Sequence, residues 1–509
     1  MHGRAASRRL FRRRGRVTLV WGLVFFAAAQ LGLVLTLLAY RPLRDPEYGR
    51  RLVALRTRLA ERQPGRPVVA VLGSSRVAMG FRPGLLHTND PAGTGPVVFN
   101  MAVCRAGPVM EALTLRRLLA DGVRPDLVLA EAWPHMMATN TGEEQGIPVD
   151  RLTWHDVRTL APYYTDPAPL RAAWVSRHRV PWHGERMHLL GQWAPQWLSA
   201  ENKRKNLEWE GLDGWGWLLH PLFKTEGLDN PVGQHARFAA CAKDYAACSP
   251  LYRVTDLSRR VYGEMAALCA RRNIRFGLIM MPDPFLNHYF PDATLRFDRE
   301  FRQLAKELNT PVVDARDWVS RSGFLEGVHL TPDGAAAFTE RFERELGPQL
   351  AGASLTERWP VGRVEAPPLL HWGRGFIPEE YCDGAVVHWC GKTGEAILVN
   401  TSDRVRFCRV QFRARRPLPG PRHRLTVQTP SVTHQIWIDL GEQVFDQVIE
   451  LPPGKLTLQF ACDADPYRFG EGREFSFAIA DPVVTESATP TKPDRAMQTS
   501  HPGPSQRRE

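Results

Sequence analysis

The stretch Val68-Val69-Ala70-Val71-Leu72-Gly73-Ser74-Ser75-Arg76-Val77 decides the fold. Its first five residues are apolar with no polar alternation, which predicts a strand buried on both faces, as in a parallel sheet. Gly-Ser-Ser then predicts a tight strand-to-helix turn that lifts a hydroxyl above the sheet edge. Ligands of open α/β sheets collect at the carboxyl ends of strands, so a serine in this turn is a candidate nucleophile.

A serine hydroxyl at its free pKa is a poor nucleophile and needs an imidazole to take its proton. Phe324-Leu325-Glu326-Gly327-Val328-His329-Leu330-Thr331-Pro332-Asp333-Gly334 supplies one. Glu326 precedes His329 by three residues, so a single turn can return its carboxylate to the ring. A carboxylate there fixes the imidazole tautomer and steadies the imidazolium. Ser75, His329 and Glu326 are therefore the expected nucleophile, base and orienting acid.

Taken together, Gly73-x-Ser75 after the first strand and acid-x-x-His near the end of the domain resemble the SGNH/GDSL hydrolase family. Gly-Ser-Ser-Arg with His-Leu-Thr-Pro-x-Gly looks most like its membrane-anchored, cell-envelope branch, which includes alginate and teichoic-acid acylation proteins. The resemblance implies a flavodoxin-like three-layer α/β fold, with Ser75 as nucleophile and His329 as base. The family acid is usually Asp; the extra methylene of Glu326 changes reach and leaves the chemistry alone. An oxyanion needs two or three donors aimed at the developing charge. The backbone N–H groups of Ser75 and Gly107 are the expected pair, and the resemblance implies the same role for Gly107. The family's third donor is an asparagine in Gly-x-Asn-Asp after the third strand. Here that place reads Glu131-Ala132-Trp133-Pro134-His135, a departure. Arg76 is read either as a binder of a substrate carboxylate or phosphate or as a member of a structural ion pair. Asp283 and His135 are weaker candidates.

Working outward, strands are expected at 96–100, 125–131, 273–282 and 310–314, with an amphipathic helix from Pro108 to Leu119. Alternating strands and helices predict a parallel sheet with helices on both faces. A long insertion, about 140–256, falls between the third and fourth strands. A structureless loop of that size is unusual in a compact domain, so a helical lid or subdomain is expected. It holds eight of the fifteen tryptophans: Trp154, Trp174, Trp182, Trp193, Trp197, Trp209, Trp215 and Trp217. Tryptophan suits sugar faces, membrane interfaces and a subdomain core alike.

Residues 1–16 carry seven arginines and no acid, and Val17 to Tyr40 carries no charge. About 20 apolar residues span a bilayer, so 17–40 is expected to be a transmembrane anchor. Ala27-Ala28-Ala29 would suit a signal peptidase, and Ser7-Arg8-Arg9-Leu10-Phe11 faintly resembles a twin-arginine export signal. The apolar run continues well past the alanines, which favours an uncleaved anchor. The positive-inside rule keeps the arginine flank in the cytoplasm, placing the bulk of the chain outside the inner membrane. Without those seven arginines the formal charge of +12 falls to +5. The basic excess thus belongs to membrane topology, and no nucleic-acid partner is expected. Residues 41–66 read as a short stalk or helix, with Leu52, Leu55 and Leu59 at helical spacing.

The 509 residues predict two to three domains. The α/β domain is expected over 67–350. Around Gly352 to Pro368 the sequence turns linker-like, and about eight short alternating runs then predict a β-sandwich over 369–484. Gly375-Phe376-Ile377-Pro378-Glu379-Glu380, His388-Trp389 and Arg468-Phe469-Gly470 loosely resemble jelly-roll modules of bacterial envelope glycan enzymes. The segment 485–509 is polar, proline-rich and expected to be disordered. Eight cysteines fit an exported chain. Cys241 with Cys248 is a candidate local disulfide; Cys382, Cys390, Cys408 and Cys462 allow three pairings, and Cys104 and Cys269 look like apolar fillers. No C-x-x-C spacing argues for zinc, so neither metal nor cofactor is expected.

These readings converge on an extracytoplasmic acyl esterase or O-acyltransferase acting on a glycan or acylated carbohydrate. A transferase would need an acyl donor delivered across the membrane, which points to a multi-spanning acyltransferase as partner. The alternative is a catalytically inactive SGNH-like protein that binds glycans or serves assembly. A dyad spacing of about 2.6–3.2 Å between Ser75 and His329 separates the two.

Overall fold

A computed structural model describes residues 3–90, 95–199, 211–222, 231–285, 290–351, 367–377, 380–382, 385–469 and 472–487. The chain divides into two compact units, Met1–Val364 and Glu365–Glu509. Trp209, most of the linker-like stretch and the end of the chain lie outside the described residues, as does the side chain of Cys382.

In the first unit the elements run α1 (Gly3–Ala39), α2 (Arg41–Arg44), α3 (Pro46–Glu61), β1 (Val68–Leu72), α4 (Ser75–Gly80) and β2 (Val97–Asn100). They continue through α5 (Pro108–Ala120), β3 (Leu127–Glu131), α6 (Pro134–Met137), α7 (Trp154–Leu160), α8 (Ala168–His178) and α9 (Pro181–Trp193). The last of them are α10 (Pro231–Cys248), α11 (Asp256–Arg271), β4 (Arg275–Met280), α12 (Pro291–Glu307), β5 (Val312–Asp314) and α13 (Pro332–Ala351).

The five strands form one parallel sheet ordered β2-β1-β3-β4-β5 and flanked by helices. All five residues of β1 are buried, as its unbroken apolar run requires. This is a doubly wound order whose direction reverses between β1 and β3, where a crevice opens at the strands' carboxyl ends. Ser75 begins α4 directly beyond β1 and so stands at that crevice.

The segment 41–66 does not stand away from the domain as a stalk. In α3, Tyr48, Leu52 and Leu55 are buried, together with the charged pair Glu47 and Arg51. Glu47 accepts the Cys104 N–H at 2.6 Å and pairs with Arg151 at 2.7 Å, while Arg51 Nε donates to the Gly216 carbonyl at 3.0 Å. The leucine stripe predicts a helix; these buried polar contacts make it part of the α/β layer. Arg117 is buried between Asp45 (2.8 Å) and Asp156 (2.9 Å), which ties the start of α3 to α5 and α7. The helix α1 contains one span, Gly15–Ala39, long and apolar enough to cross a membrane.

The candidate disulfide is not formed. Cys241 and Cys248 are free thiols on the single helix α10. Seven residues of helix separate them by about 10 Å, beyond the Cα spacing a disulfide tolerates. Cys390, Cys408 and Cys462 are also free and buried.

The second unit holds two antiparallel five-stranded sheets. One is ordered Gln443–Leu451, Arg406–Arg415, Phe477–Ser487, Ala385–Cys390, Glu380–Cys382. The other is ordered Thr433–Ile438, His423–Gln428, Gly454–Cys462, Thr393–Asn400, Leu369–Trp372. Arg406–Arg415 alternates buried and outward residues along its length, and its inward Cys408, Val410, Phe412 and Ala414 share one core with Leu398, Leu425, Leu458 and Phe460 of the other sheet. Period-two patterning thus shows directly as a common apolar layer.

Candidate active site

Gly73 leads out of β1 where a side chain has no room: a Cβ there would lie 2.8 Å from Glu131 Oε2. Ser74 caps α4, its hydroxyl accepting the Arg76 N–H at 3.2 Å, and its own N–H donates to Glu131 Oε2 at 2.7 Å. Ser75 follows at the first helical position, half-buried. Its N–H has no acceptor among the described residues, as expected for the first turn of a helix.

The chain brings the base to this serine from 254 residues away. His329 Nε2 lies 2.9 Å from Ser75 Oγ, and His329 Nδ1 meets Glu326 Oε1 on its other side. The loop is closed locally: Leu325 N–H donates to the His329 carbonyl at 2.8 Å, and Phe324 bridges to Leu330. Burial alone would push the Glu326 carboxyl up, but the His329 hydrogen bond and charge outweigh it and hold the group below its ordinary range. Nδ1 facing a carboxylate carries the proton, which leaves Nε2 free to accept one from Ser75.

Gly107 caps α5 and is buried, and its N–H likewise has no acceptor among the described residues. A Cβ there would sit 2.7 Å from Gln145 Oε1, so any larger residue would have to displace the Gln145 carboxamide. Gln145, which the sequence pattern did not single out, fixes the turn by accepting the Val109 N–H at 3.1 Å and donating to Thr139 Oγ1 at 2.9 Å. The residues directly after β3, Ala132-Trp133-Pro134-His135, include no asparagine. Asn100 is committed elsewhere, donating to the Val77 and Phe81 carbonyls at 2.8 Å each.

Arg76 is a structural residue and does not face a substrate. It is 4% exposed, and Nη2 donates to the Met281 and Pro282 carbonyls at 3.2 and 2.6 Å. Its guanidinium lies 3.8 Å from Glu131 and 3.6 Å from Asp283 and covers the Trp133 ring at 5.3 Å. A buried carboxylate on each side draws the side chain inward and leaves no face for a ligand. Asp283 belongs to this buried group, and half-buried His135 packs tilted against Trp133 and edge-on to Tyr252.

Two further residues join the site without a motif to announce them. Glu131, the last residue of β3, is buried against the serine turn; burial pushes its carboxyl up, opposed by Arg76 and the Ser74 N–H. His220, from the insertion, lies with its ring centroid 5.0 Å from that of His329. Burial, followed by the charge of His329, lowers the His220 pKa to about 4. Its Nδ1 accepts the Leu222 N–H at 3.2 Å, so a neutral ring carries its proton on Nε2. A histidine with a depressed native pKa binds fewer protons folded than unfolded, so stability falls as pH drops from 6.5 toward about 4. His220→Gln is expected to flatten the melting temperature across that window; an unchanged pH profile would remove the linkage.

The insertion also holds the base loop in place. From α10, Gln234 donates to the Phe324 carbonyl at 2.6 Å and Arg237 to the Leu325 carbonyl at 3.4 Å, and Cys241 packs on Gly327. A cavity of about 750 Å³ beside this loop is lined by Gln234, Arg237, Trp318, Leu325 and Thr331, and not by Ser75 or His329. Among the described residues, His220, Glu326 and His329 are the single trio placed close enough to share a metal ion. Within the trio, Glu326 meets His329 Nδ1 directly, as an acid that orients a base would.

No family model matches the chain, and no curated protein matches it. Solved structures do. A two-domain esterase (CEX) active on acetylated mannans is 11% identical, with 87% of this chain and 96% of that chain covered and a TM-score of 0.24. TesA is 12% identical over 56% of this chain and 99% of that chain, with a TM-score of 0.28. A CBM4 structure is 12% identical over 24% of this chain and 86% of that chain, with a TM-score of 0.16. Similarities this distant decide neither chemistry nor substrate, and the side-chain geometry has to carry the function.

Proposed function

We propose that the first unit is a membrane-anchored, extracytoplasmic SGNH-type enzyme that handles acyl esters of a glycan through Ser75, His329 and Glu326. One observation carries this reading: Ser75 Oγ, both nitrogens of His329 and the Glu326 carboxylate form one continuous hydrogen-bonded line. Ser75 Oγ attacks the ester carbonyl while His329 Nε2 takes its proton, and Glu326 steadies the imidazolium. The oxyanion is held by the N–H groups of Ser75 and Gly107, each donor worth about 3–4 kcal/mol in such sites. His329 then returns the proton to the departing sugar oxygen, leaving an acyl group on Ser75. Water releases that group as an acid, whereas a sugar hydroxyl carries it off as a new ester. Transfer needs an activated acyl group supplied from across the membrane, for which we propose a multi-spanning acyltransferase partner. Detergent co-purification that repeatedly recovers no such protein would count against the transferase branch.

The test is intact-mass analysis of the full chain after a fluorophosphonate probe. One adduct, absent in Ser75→Ala, is the expected outcome. No adduct on folded protein would favour the catalytically inactive glycan-binding reading instead.

A further inference from the structure

The hairpin formed by α8 and α9 presents apolar surface in a place that gives that surface a use. It lies along the last third of the apolar helix α1: Leu189 of α9 packs with Leu33, Leu37 and Leu43 in one cluster. At the hairpin's near end, the Trp182 N–H donates to Gln30 Oε1 at 2.9 Å. Gln30 is the one carboxamide in the Gly15–Ala39 span, and the second N–H of a helix has no partner within that helix. Two polar groups that hydrocarbon would leave unsatisfied therefore satisfy each other.

Depth along α1 follows from helix geometry. Measured from Arg16 at 1.5 Å per residue, a hydrocarbon core of about 30 Å ends near Thr36, so Gln30 falls roughly 9 Å inside that boundary. From Trp182 the α9 helix rises alongside α1, reaching Leu37 by way of Leu189, and Trp193 follows one turn later near the level of Tyr40. Trp193 and Trp197 are 66% and 75% exposed, and Val175, Val180, Trp182 and Met187 are exposed with them. Scattered exposed apolar residues are ordinary, but these lie on one hairpin and the short turn Pro195–Trp197 that follows it, beside a helix whose apolar window is only 6% buried. Tryptophan prefers this boundary because its ring is apolar and its N–H is not.

We propose that the α8–α9 hairpin, with Trp182, Trp193 and Trp197, sits in the headgroup–acyl boundary of the bilayer that α1 crosses. The proposal rests on the reading of α1 as an anchor. It makes lipid a second partner of the insertion, which also supplies His220 and α10 to the active site.

The full chain is reconstituted in phosphatidylcholine/phosphatidylglycerol vesicles with or without brominated acyl chains, and tryptophan fluorescence is compared with that of a W193F/W197F double variant. Bromine is expected to quench the wild type, with the quenched intensity falling by about half in the double variant, since Trp21 and Trp182 remain at the lipid. Equal quenching of the two proteins would overturn the proposal, as would protection of these tryptophans by soluble glycan in place of lipid. Protein that fails to float with the vesicles, or shows no quenching traceable to Trp21 in a W21F control, would refute the anchor reading itself.

Discussion

Ser75→Ala is expected to lower ester turnover by roughly 10⁴- to 10⁶-fold, and His329→Ala by a similar factor. The double variant should be no slower than either single one, because nucleophile and base act as one unit across their 2.9 Å contact. Glu326→Gln is the informative third case. It keeps the shape of the side chain, but an amide N–H turned toward Nδ1 would force the imidazole proton onto Nε2. The ring could then no longer accept from Ser75, and a loss of about 10⁴-fold in kcat follows from the wrong tautomer alone. Glu326→Asp keeps the charge and shortens the reach by one methylene, so it should recover more activity than the glutamine variant. Steady-state kinetics on an acyl ester, with circular dichroism to confirm folding, checks all five. Additive losses in the double variant would mean that Ser75 and His329 do not work together.

The parts of this molecule legible in the sequence are those whose cause is local. β1 to β4 announce themselves because strands buried on both faces need uninterrupted apolar runs, and the serine turn because Gly73 must yield to Glu131 Oε2. The pairing of Glu326 with His329 follows from three residues of spacing. His220 was illegible because nothing near it in the chain distinguishes it; only the fold of the insertion brings its ring to His329. Gln145 is hidden for the same reason. Glu131 left a fainter trace, a carboxylate ending an otherwise apolar strand, and Asp283 just after β4 left another. Two acids at the ends of neighbouring buried strands need a cation, and Arg76 lies within 3.8 Å of both. The leucines of α3 predicted its helix, but its burial depends on Glu47 and Arg51, whose partners Cys104, Arg151 and Gly216 are remote in sequence.

Arg76→Leu is expected to destabilise the first unit by about 3–5 kcal/mol, since it leaves Glu131 and Asp283 buried without their cation. The same change should slow turnover, because Glu131 also receives the Ser74 N–H and so sets the turn that presents Ser75. The KM for an ester substrate should stay nearly constant, as the guanidinium is buried and held by the Met281 and Pro282 carbonyls and the Trp133 ring. Arg76→Lys keeps the charge but loses the planar fork that spans the Met281 and Pro282 carbonyls, and should fall between the two. Replacing Arg76, Glu131 and Asp283 together by apolar residues of similar volume should cost less stability than Arg76→Leu alone, because no charge then remains buried. The triple variant would still lose turnover, having lost the acceptor for Ser74. Chemical denaturation followed for the first unit, with kcat and KM measured separately, distinguishes this from substrate binding. A residue that held a substrate anion would raise KM and leave stability alone; Arg76, closed in by two carboxylates and two carbonyls, should do the reverse.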